Sequence, residues 1–291
     1  MQINPIQNNK YNSNSVNFKH WERTVYKSGT TYGIENVVRR NTTFFFREPA
    51  FWKYFTDFLD ERFKNVPKIN LYSYGCSDGS DPLTLIMKLI GDKSENVLKK
   101  ISPIIAKDID PVAISKAKSA KYMMTFFEQS DINYWTNDNY NLFFKESKAR
   151  PTLEFDAEVE VKPELLEYIQ YDVANVLEDY KNIEPNNSIV LLRNVLPYLT
   201  KTEGEPYWKD SNWNVQKDFL ENLYNHLGKN SYIAIGEYDR FDIKNIEKIL
   251  FKSGFKKTSI HNLYRKMTEE EKKNSSKFLT KVAMFFQILF E

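Results

Sequence analysis

The strongest constraint on this chain is a cadence in which short apolar runs alternate with helical stretches. INLYSYG (69–75) is followed by PLTLIMKLI (82–90), PIIAKDI (103–109) and PVAISKAKSAKY (111–122). Strand, helix, strand, helix in that order predicts a βαβ unit and hence a parallel sheet buried on both faces. YIQYDV (168–173), SIVLLRNV (188–195) and SYIAIGEY (231–238) read as further buried strands, with a helix at about 215–228 that ends at Gly228. After the helix DIKNIEKILFKSGF (242–255), the segments KKTSIHNLYRK (256–266) and VAMFFQILF (282–290) suit late strands of the same sheet, including an antiparallel pair at one edge. Ahead of the unit, Phe51, Trp52, Phe55, Phe58, Leu59 and Phe63 recur at three- and four-residue steps behind Pro49, the pattern of an amphipathic helix.

The interruption between 123 and 167 holds LEFDAEVEV (153–161), where apolar and acidic residues alternate as in a strand with one wet face. It predicts an inserted β element at about 140–165. The first forty residues mix an Asn-rich start with scattered aromatics such as Trp21 and Tyr26, show no sustained period, and read as a partly ordered extension. The run EEEKK (269–273) reads as a solvated loop or helix face.

Composition narrows the function classes. With 41% hydrophobic and 27% charged residues over 291 positions, the chain is a folded body with one large or two modest cores. A net charge of +2 lacks the one-sided field that nucleic-acid or anionic-membrane binding requires, so neither partner is expected. One cysteine, Cys76, and three separated histidines, His20, His226 and His261, give neither a disulfide framework nor a metal-ligand spacing, so no metal is expected. The polar start MQINPIQNNKYNSNS has no apolar signal core, and no run is long enough to span a membrane, which reads as a cytoplasmic protein.

In an open parallel sheet, ligands bind beyond the carboxyl ends of the strands. The first strand opens into GCSDGSDP (75–82), where Gly75 and Gly79 allow a sharp turn and a close backbone approach. The turn lacks G-x-G-x-x-G and a P-loop lysine, which disfavours dinucleotides and triphosphates, and a plain strand-to-helix connection is the competing reading. Asp108 ends the second strand and can accept from the two hydroxyls of a ribose, while Asp110 before Pro111 reads as a helix cap. Asp172 ends the third strand, placed to accept from an exocyclic amine such as adenine N6, with the Val173 N–H available to a ring nitrogen. A turn aspartate is the simpler alternative there. The fourth strand ends in Arg193-Asn194, polar groups that need partners if buried, followed by Pro197-Tyr198.

In sequence order these features resemble the CheR family of chemotaxis-receptor methyltransferases, enzymes dependent on S-adenosylmethionine (SAM), over roughly residues 41–240. NTTFFFRE (41–48) is similar to the family's N-x-T-x-F-F-R-E, GCSDGSDP to its S-T-G-E-E-P, AKDIDP (106–111) to its S-D-I-D and LLRNVLPYL (191–199) to its C-R-N-V-x-I-Y-F. NLFFKE (141–146) through EVEVKPELLEYIQYDV (158–173) matches its small inserted β subdomain and the strand after it. The resemblance implies a class I SAM-methyltransferase α/β fold, a Rossmann-like sheet, mostly parallel with an antiparallel edge, plus that subdomain. It implies SAM contacts at Asn41, Thr43, Arg47, Gly75, Asp81, Asp108, Asp172, Val173, Arg193 and Asn194. Ser80 stands where the family has the first acid of a pair, and Asp172 where it commonly has asparagine. Residues 1–40 are an extension in place of the family's N-terminal helical docking domain, and 41–291 are the methyltransferase domain.

The implied activity is O-methylation of a carboxylate, such as a protein glutamate, by in-line displacement at the SAM methyl. A carboxylate is already ionised at pH 7, so alignment matters more than a general base. Arg47 is the candidate for orienting the acceptor or the methionyl end of SAM, and Tyr198 for lining the transfer site. On residue type alone they are an exposed charge before a helix and a core aromatic. A different protein or small-molecule acceptor is the alternative, as is a SAM- or S-adenosylhomocysteine-binding module without turnover. The loop EGEPYWKDSNWNVQ (203–216), with two tryptophans, either faces the substrate or packs on itself.

Overall fold

A computed structural model describes residues 24–28, 39–146, 150–199, 213–243 and 245–275. It opens with β1 (Thr24–Ser28) and β2 (Arg39–Thr42), an antiparallel pair where the sequence shows no period. Then come α1 (Pro49–Arg62), β3 (Asn70–Tyr74), α2 (Ser80–Gly91), α3 (Glu95–Ile101), β4 (Ile104–Asp108) and α4 (Pro111–Ser119). The middle holds β5 (Lys121–Met124), α5 (Phe126–Trp135), α6 (Tyr140–Phe143), β6 (Ala157–Glu160), α7 (Pro163–Leu166), β7 (Ile169–Val173) and α8 (Val176–Asp179). Last are β8 (Ser188–Leu192), α9 (Asn214–His226), β9 (Tyr232–Ile235), α10 (Glu237–Asp242), α11 (Ile246–Ser253), β10 (Phe255–Lys257) and β11 (Leu263–Lys266).

Seven strands form one sheet in the order β10-β11-β9-β8-β3-β4-β7. From β9 to β7 all neighbours are parallel, whereas β11 runs antiparallel to both β9 and β10. The chain first builds outward from β3 through β4 to β7, then returns to place β8 on the other side of β3. The order therefore reverses between β3 and β8, which puts a crevice at their carboxyl ends.

The strands read as unbroken apolar runs because successive side chains enter two different cores. Leu71, Ile189, Leu191 and Ala234 join the aromatic side chains of α1 and the apolar face of α2. Their neighbours Tyr72, Tyr74, Val190, Leu192, Ile233 and Ile235 join the apolar faces of α9 and α11 instead. On α1, Phe51 and Phe55 stack at 5.1 Å between centroids, and Phe55 and Phe58 at 6.3 Å.

Several expected elements change their limits: the strand expected over 188–195 ends at Leu192, and the helix expected over 242–255 is confined to Ile246–Ser253. The helix expected through residue 122 stops at Ser119, because Ala120 takes φ 54° and turns the chain into β5. That turn buries Tyr122, whose hydroxyl donates to the Asp78 carbonyl at 2.8 Å. The expected strand 153–161 is ordered only as β6, paired antiparallel with β5. Leu153 and Phe155 continue the alternation but lie in a turn and are exposed. The run 231–238 ends as a strand at Ile235, and Glu237 starts α10. The segment VAMFFQILF lies outside the described residues.

Phe55 has no exposed surface. Phe55→Ala is expected to cost about 3–5 kcal/mol of stability, read as a lowered urea midpoint at an unchanged slope.

Candidate active site

The turn after β3 is built by its own backbone needs. Gly75 and Gly79 adopt φ 63° and 84°. A Cβ at Gly75 would stand 2.4 Å from Val195 Cγ2, and one at Gly79 would stand 2.3 Å from the Tyr171 hydroxyl, so both positions require glycine. Asp108 crosses from β4 to hold the turn: its Oδ2 accepts from Ser77 N at 2.8 Å and its Oδ1 from Asp110 N at 2.9 Å. Asp110 caps α4 by accepting from Val112 N at 2.9 Å, as its place before Pro111 predicts. Ser80 turns its hydroxyl onto Asp78 Oδ1 at 2.6 Å. Burial, with Asp108, Asp78 and Asp81 nearby, pushes the Cys76 thiol well up, so it stays protonated and unreactive.

The segment that leads into α1 is the second component. Phe45 and Phe46 are fully buried, and their amides donate to Glu128 Oε1 at 3.3 Å and Thr84 Oγ1 at 3.0 Å. Thr43 is buried, and Asn41 falls on β2. Arg47, far from being an exposed charge, is buried and pairs with Asp81 Oδ2 at 2.9 Å through Nη2. Burial alone would lower its pKa, but the facing Asp81 and Glu48 outweigh that and hold it above the ordinary value.

Arg193 completes the cluster from the end of β8. Its Nε stands 3.4 Å from Asp81 Oδ2 and its Nη2 3.5 Å from Glu48 Oε1, while Nη2 also donates to the Arg47 carbonyl at 2.9 Å. The guanidinium lies 4.4 Å from the Trp52 ring and 4.8 Å from the Phe51 ring. Among the described residues, Asp81 Oδ1, Arg193 Nη1, Asn194 Nδ2 and Ser77 Oγ are buried polar atoms without a hydrogen-bond partner. Buried groups in that condition mark a place where a ligand can bond.

Asp172 and Val173 are exposed on the outer parallel strand, with Val173 in register with Asp108. The Val173 N–H donates to Asp172 Oδ1 at 2.8 Å, so that amide is engaged by its own neighbour. Tyr198, on a short 3₁₀ turn at 196–198, is half exposed rather than a core aromatic. Thus the structure joins Arg47, Asp81 and Arg193 in direct contact, sets Asp108 against the Gly75–Gly79 turn and beside Val173, and leaves Tyr198 on the rim. The acid that sequence reasoning missed is Asp239, which is fully buried on α10. Its signal was available, since it lies just past the end of a fifth strand, but the strand reading ran over its neighbours.

Among the described residues no three His, Cys, Asp or Glu side chains gather as a metal site, and no helix is long and apolar enough to cross a membrane.

An open sheet with this strand order, one antiparallel strand next to its edge and a glycine turn after its central strand defines a class I SAM-dependent methyltransferase fold. The model of the family "CheR methyltransferase, SAM binding domain" matches residues 41–256. The chain belongs to this family of methyltransferases, and SAM is the cofactor of its domain. It is 24% identical over 170 residues to a chemotaxis protein methyltransferase of Salmonella typhimurium, an alignment that covers 58% of this chain and 54% of that protein. The chain thus spans about half the length of the curated relative it matches. Similar solved structures include a pericyclic reaction enzyme, with a TM-score of 0.37 and 12% identity over 72% of this chain and 43% of that one. Another is the methyltransferase domain of bacterial-CtHen1-CN, with a TM-score of 0.34 and 10% identity over 75% of this chain and 98% of that one.

Two predictions follow from the buried charges. Arg193→Met leaves Asp81 and Glu48 short of a cation and should cost about 3–5 kcal/mol in urea unfolding. Burial pushes the Asp239 carboxyl up to about 7 from 3.8, past the pull of three N–H donors and with Glu48 adding to the rise. The native state then binds more protons than the unfolded chain between those values, so rising pH removes stability across that window. Asp239→Asn has no proton to lose there; wild type should lose unfolding free energy relative to the variant between pH 4 and 7, and parallel curves would contradict the raised value.

Proposed function

We propose that this chain transfers the methyl group of SAM to a carboxylate, in an acceptor resembling a protein glutamate. The observation that carries this reading is the buried contact of the Arg47 and Arg193 guanidinium groups with Asp81, with Arg193 just past the carboxyl end of β8 and its Nη1 without a hydrogen-bond partner among the described residues. A guanidinium donor at the site can hold an anionic acceptor in place by a charge-assisted hydrogen bond, and an ionised carboxylate needs no base to become a nucleophile. The name of the Salmonella relative, a chemotaxis protein methyltransferase, is in keeping with a protein acceptor.

The residues present fit the cofactor. Asp81 Oδ1 is a buried acceptor without a partner and suits the ammonium of the methionyl group, as Arg193 Nη1 suits its carboxylate. Asp108, fixed at the carboxyl end of β4, is proposed to accept from the ribose hydroxyls through its carboxylate. Asp172 and Val173 offer the exposed outer edge to the adenine, and Asn41, Thr43, Gly75 and Asn194 complete the proposed contacts. When bound, SAM supplies an electrophilic methyl group on a sulfonium. The chain's own task is alignment: Arg47 orients the acceptor carboxylate, and Tyr198 directs its hydroxyl into the transfer site. The buried surroundings of Arg47 and Arg193 keep water from screening these charges. We take 41–291 as the methyltransferase domain, with the β5–β6 sheet as part of its insertion and 1–40 as an extension, acting in the cytoplasm.

Cell extract incubated with the protein and methyl-labelled SAM tests the acceptor. Base-labile label on protein is the expected result. Label on small molecules would move the acceptor to that class, and tight SAM binding with no label anywhere would make the chain a binding module. With an acceptor in hand, Tyr198→Phe should lower kcat about tenfold, the worth of one hydrogen bond of about 1.4 kcal/mol, at an unchanged affinity for SAM. Full turnover would remove Tyr198 from the transfer site.

A further inference from the structure

The corner between β9 and α10 carries more polar bonding than a connection needs. Three successive amides open this helix, and the first amides of a helix have no intrahelical acceptor. Each finds one from a different source. Gly236 N donates to Asp239 Oδ2 at 2.7 Å, Glu237 N to Glu48 Oε1 at 3.1 Å, and Tyr238 N to Asn194 Oδ1 at 2.9 Å. Asp239 also reaches across to the end of β8. It accepts from Asn194 N at 2.7 Å through Oδ2 and from Leu196 N at 3.0 Å through Oδ1.

Asn194 is therefore held at two points, its backbone N–H by Asp239 and its side-chain oxygen by the Tyr238 amide. These bonds settle which way the side-chain amide is turned. The oxygen is engaged, and Nδ2 is left as a buried donor with no hydrogen-bond partner among the described residues. Two local features allow this. Asn194 sits at φ 59°, and a Cβ at Gly236 would stand 1.9 Å from Asn194 Oδ1, so only glycine admits the contact. A fold that tolerates a buried orphan NH₂ beside a cofactor cleft gains from any ligand oxygen that meets it.

We propose that Asp239 is a positioning residue of the SAM site: it holds the Asn194–Leu196 backbone against α10, which fixes the Asn194 amide so that Nδ2 donates to an oxygen of bound SAM. The proposal rests on the reading of Asn194 as a cofactor contact. Asp239 is placed to act through Asn194, because both of its oxygens accept from backbone amides, Oδ2 from two and Oδ1 from one. Its ionised form suits this task, since three N–H groups converge on it and an amide in its place would turn a donor toward one of them.

The test is a double-mutant cycle in SAM affinity, measured by calorimetry on wild type, Asn194→Ala, Asp239→Asn and the double variant, with a melting curve for each. Each single variant should weaken SAM binding roughly tenfold, and the double variant should be little weaker than either one, because Asp239 acts through Asn194. If the losses instead multiply to about a hundredfold, or if Asp239→Asn lowers the melting temperature and leaves affinity unchanged, Asp239 is a structural residue and the proposal is wrong. Should Asp239→Asn fail to fold, Asp239→Glu keeps the charge, displaces it by one methylene and is read through the same cycle. Failure of the underlying reading looks different: Asn194→Ala would then bind SAM as wild type does, whatever the Asp239 variants do.

Discussion

The rest of the structure depends on the buried cluster of Arg47, Asp81, Arg193 and Glu48. Its members come from the segment before α1, the start of α2 and the end of β8, so it ties together parts of the chain up to 146 residues apart. Two cations and two anions make it neutral as a set, and no subset of three is neutral. A buried cluster of this kind adds little net stability, since desolvation offsets most of the attraction. What it does is penalise every arrangement in which one member is missing. The motif segment 41–48 can thus sit over the strand ends in one way only, with Trp52 and Phe51 closing over the Arg193 guanidinium. The cofactor cleft is positioned by that penalty.

Carboxylates at the strand ends serve the chain before they serve any ligand. Asp108 orders the glycine turn, Asp110 caps a helix, Asp78 ties down Ser80 and Asp239 fastens the end of β8. Each accepts from backbone amides or a hydroxyl that the sharp turns leave without regular partners. Loops at the mouth of an open sheet cannot use strand ladders, so acidic side chains take over the hydrogen bonding. The same residues are then held in one orientation. At Asp108 the role of ordering the turn and the proposed role toward a ligand are compatible in one residue.

The sheet was legible because its two faces feed two cores, which makes each strand an unbroken apolar run bounded by glycine or a polar residue. Where that signal weakened, so did the reading. Nothing in the residue types marks Ala120 as a left-handed stop, so the helical period ran on into β5. Leu153 and Phe155 keep the strand alternation of 157–160 without a partner to pair with, and alternation alone cannot show where pairing ends. The placement of the candidate residues was legible, since those read past the strand ends lie at the carboxyl ends of the sheet. Their bonding was not. Arg47 meets Asp81 across 34 positions and the Arg193 guanidinium across 146, separations at which residue spacing carries no information, so only the motif resemblance set Arg47 apart from a surface charge. Asp239 escaped notice because the SYIAIGEY run reads as a strand past Ile235, which hides the corner where α10 begins.

Burial divides the proposed roles in a way that bears on how such a site changes its substrate. The polar groups proposed for SAM at Asp81, Asp108 and Arg193 are almost wholly buried and tied into the protein's own bonding, so altering any of them disturbs the fold as well as the cofactor. Tyr198 is half exposed on a short turn, and Tyr238, also half exposed, donates its amide to Asn194 at the start of α10. Side chains at such rim positions can vary without breaking a buried charge pair or a helix start. On the proposed roles, cofactor chemistry stands under the same constraint as folding, and the rim side chains are the ones freer to change.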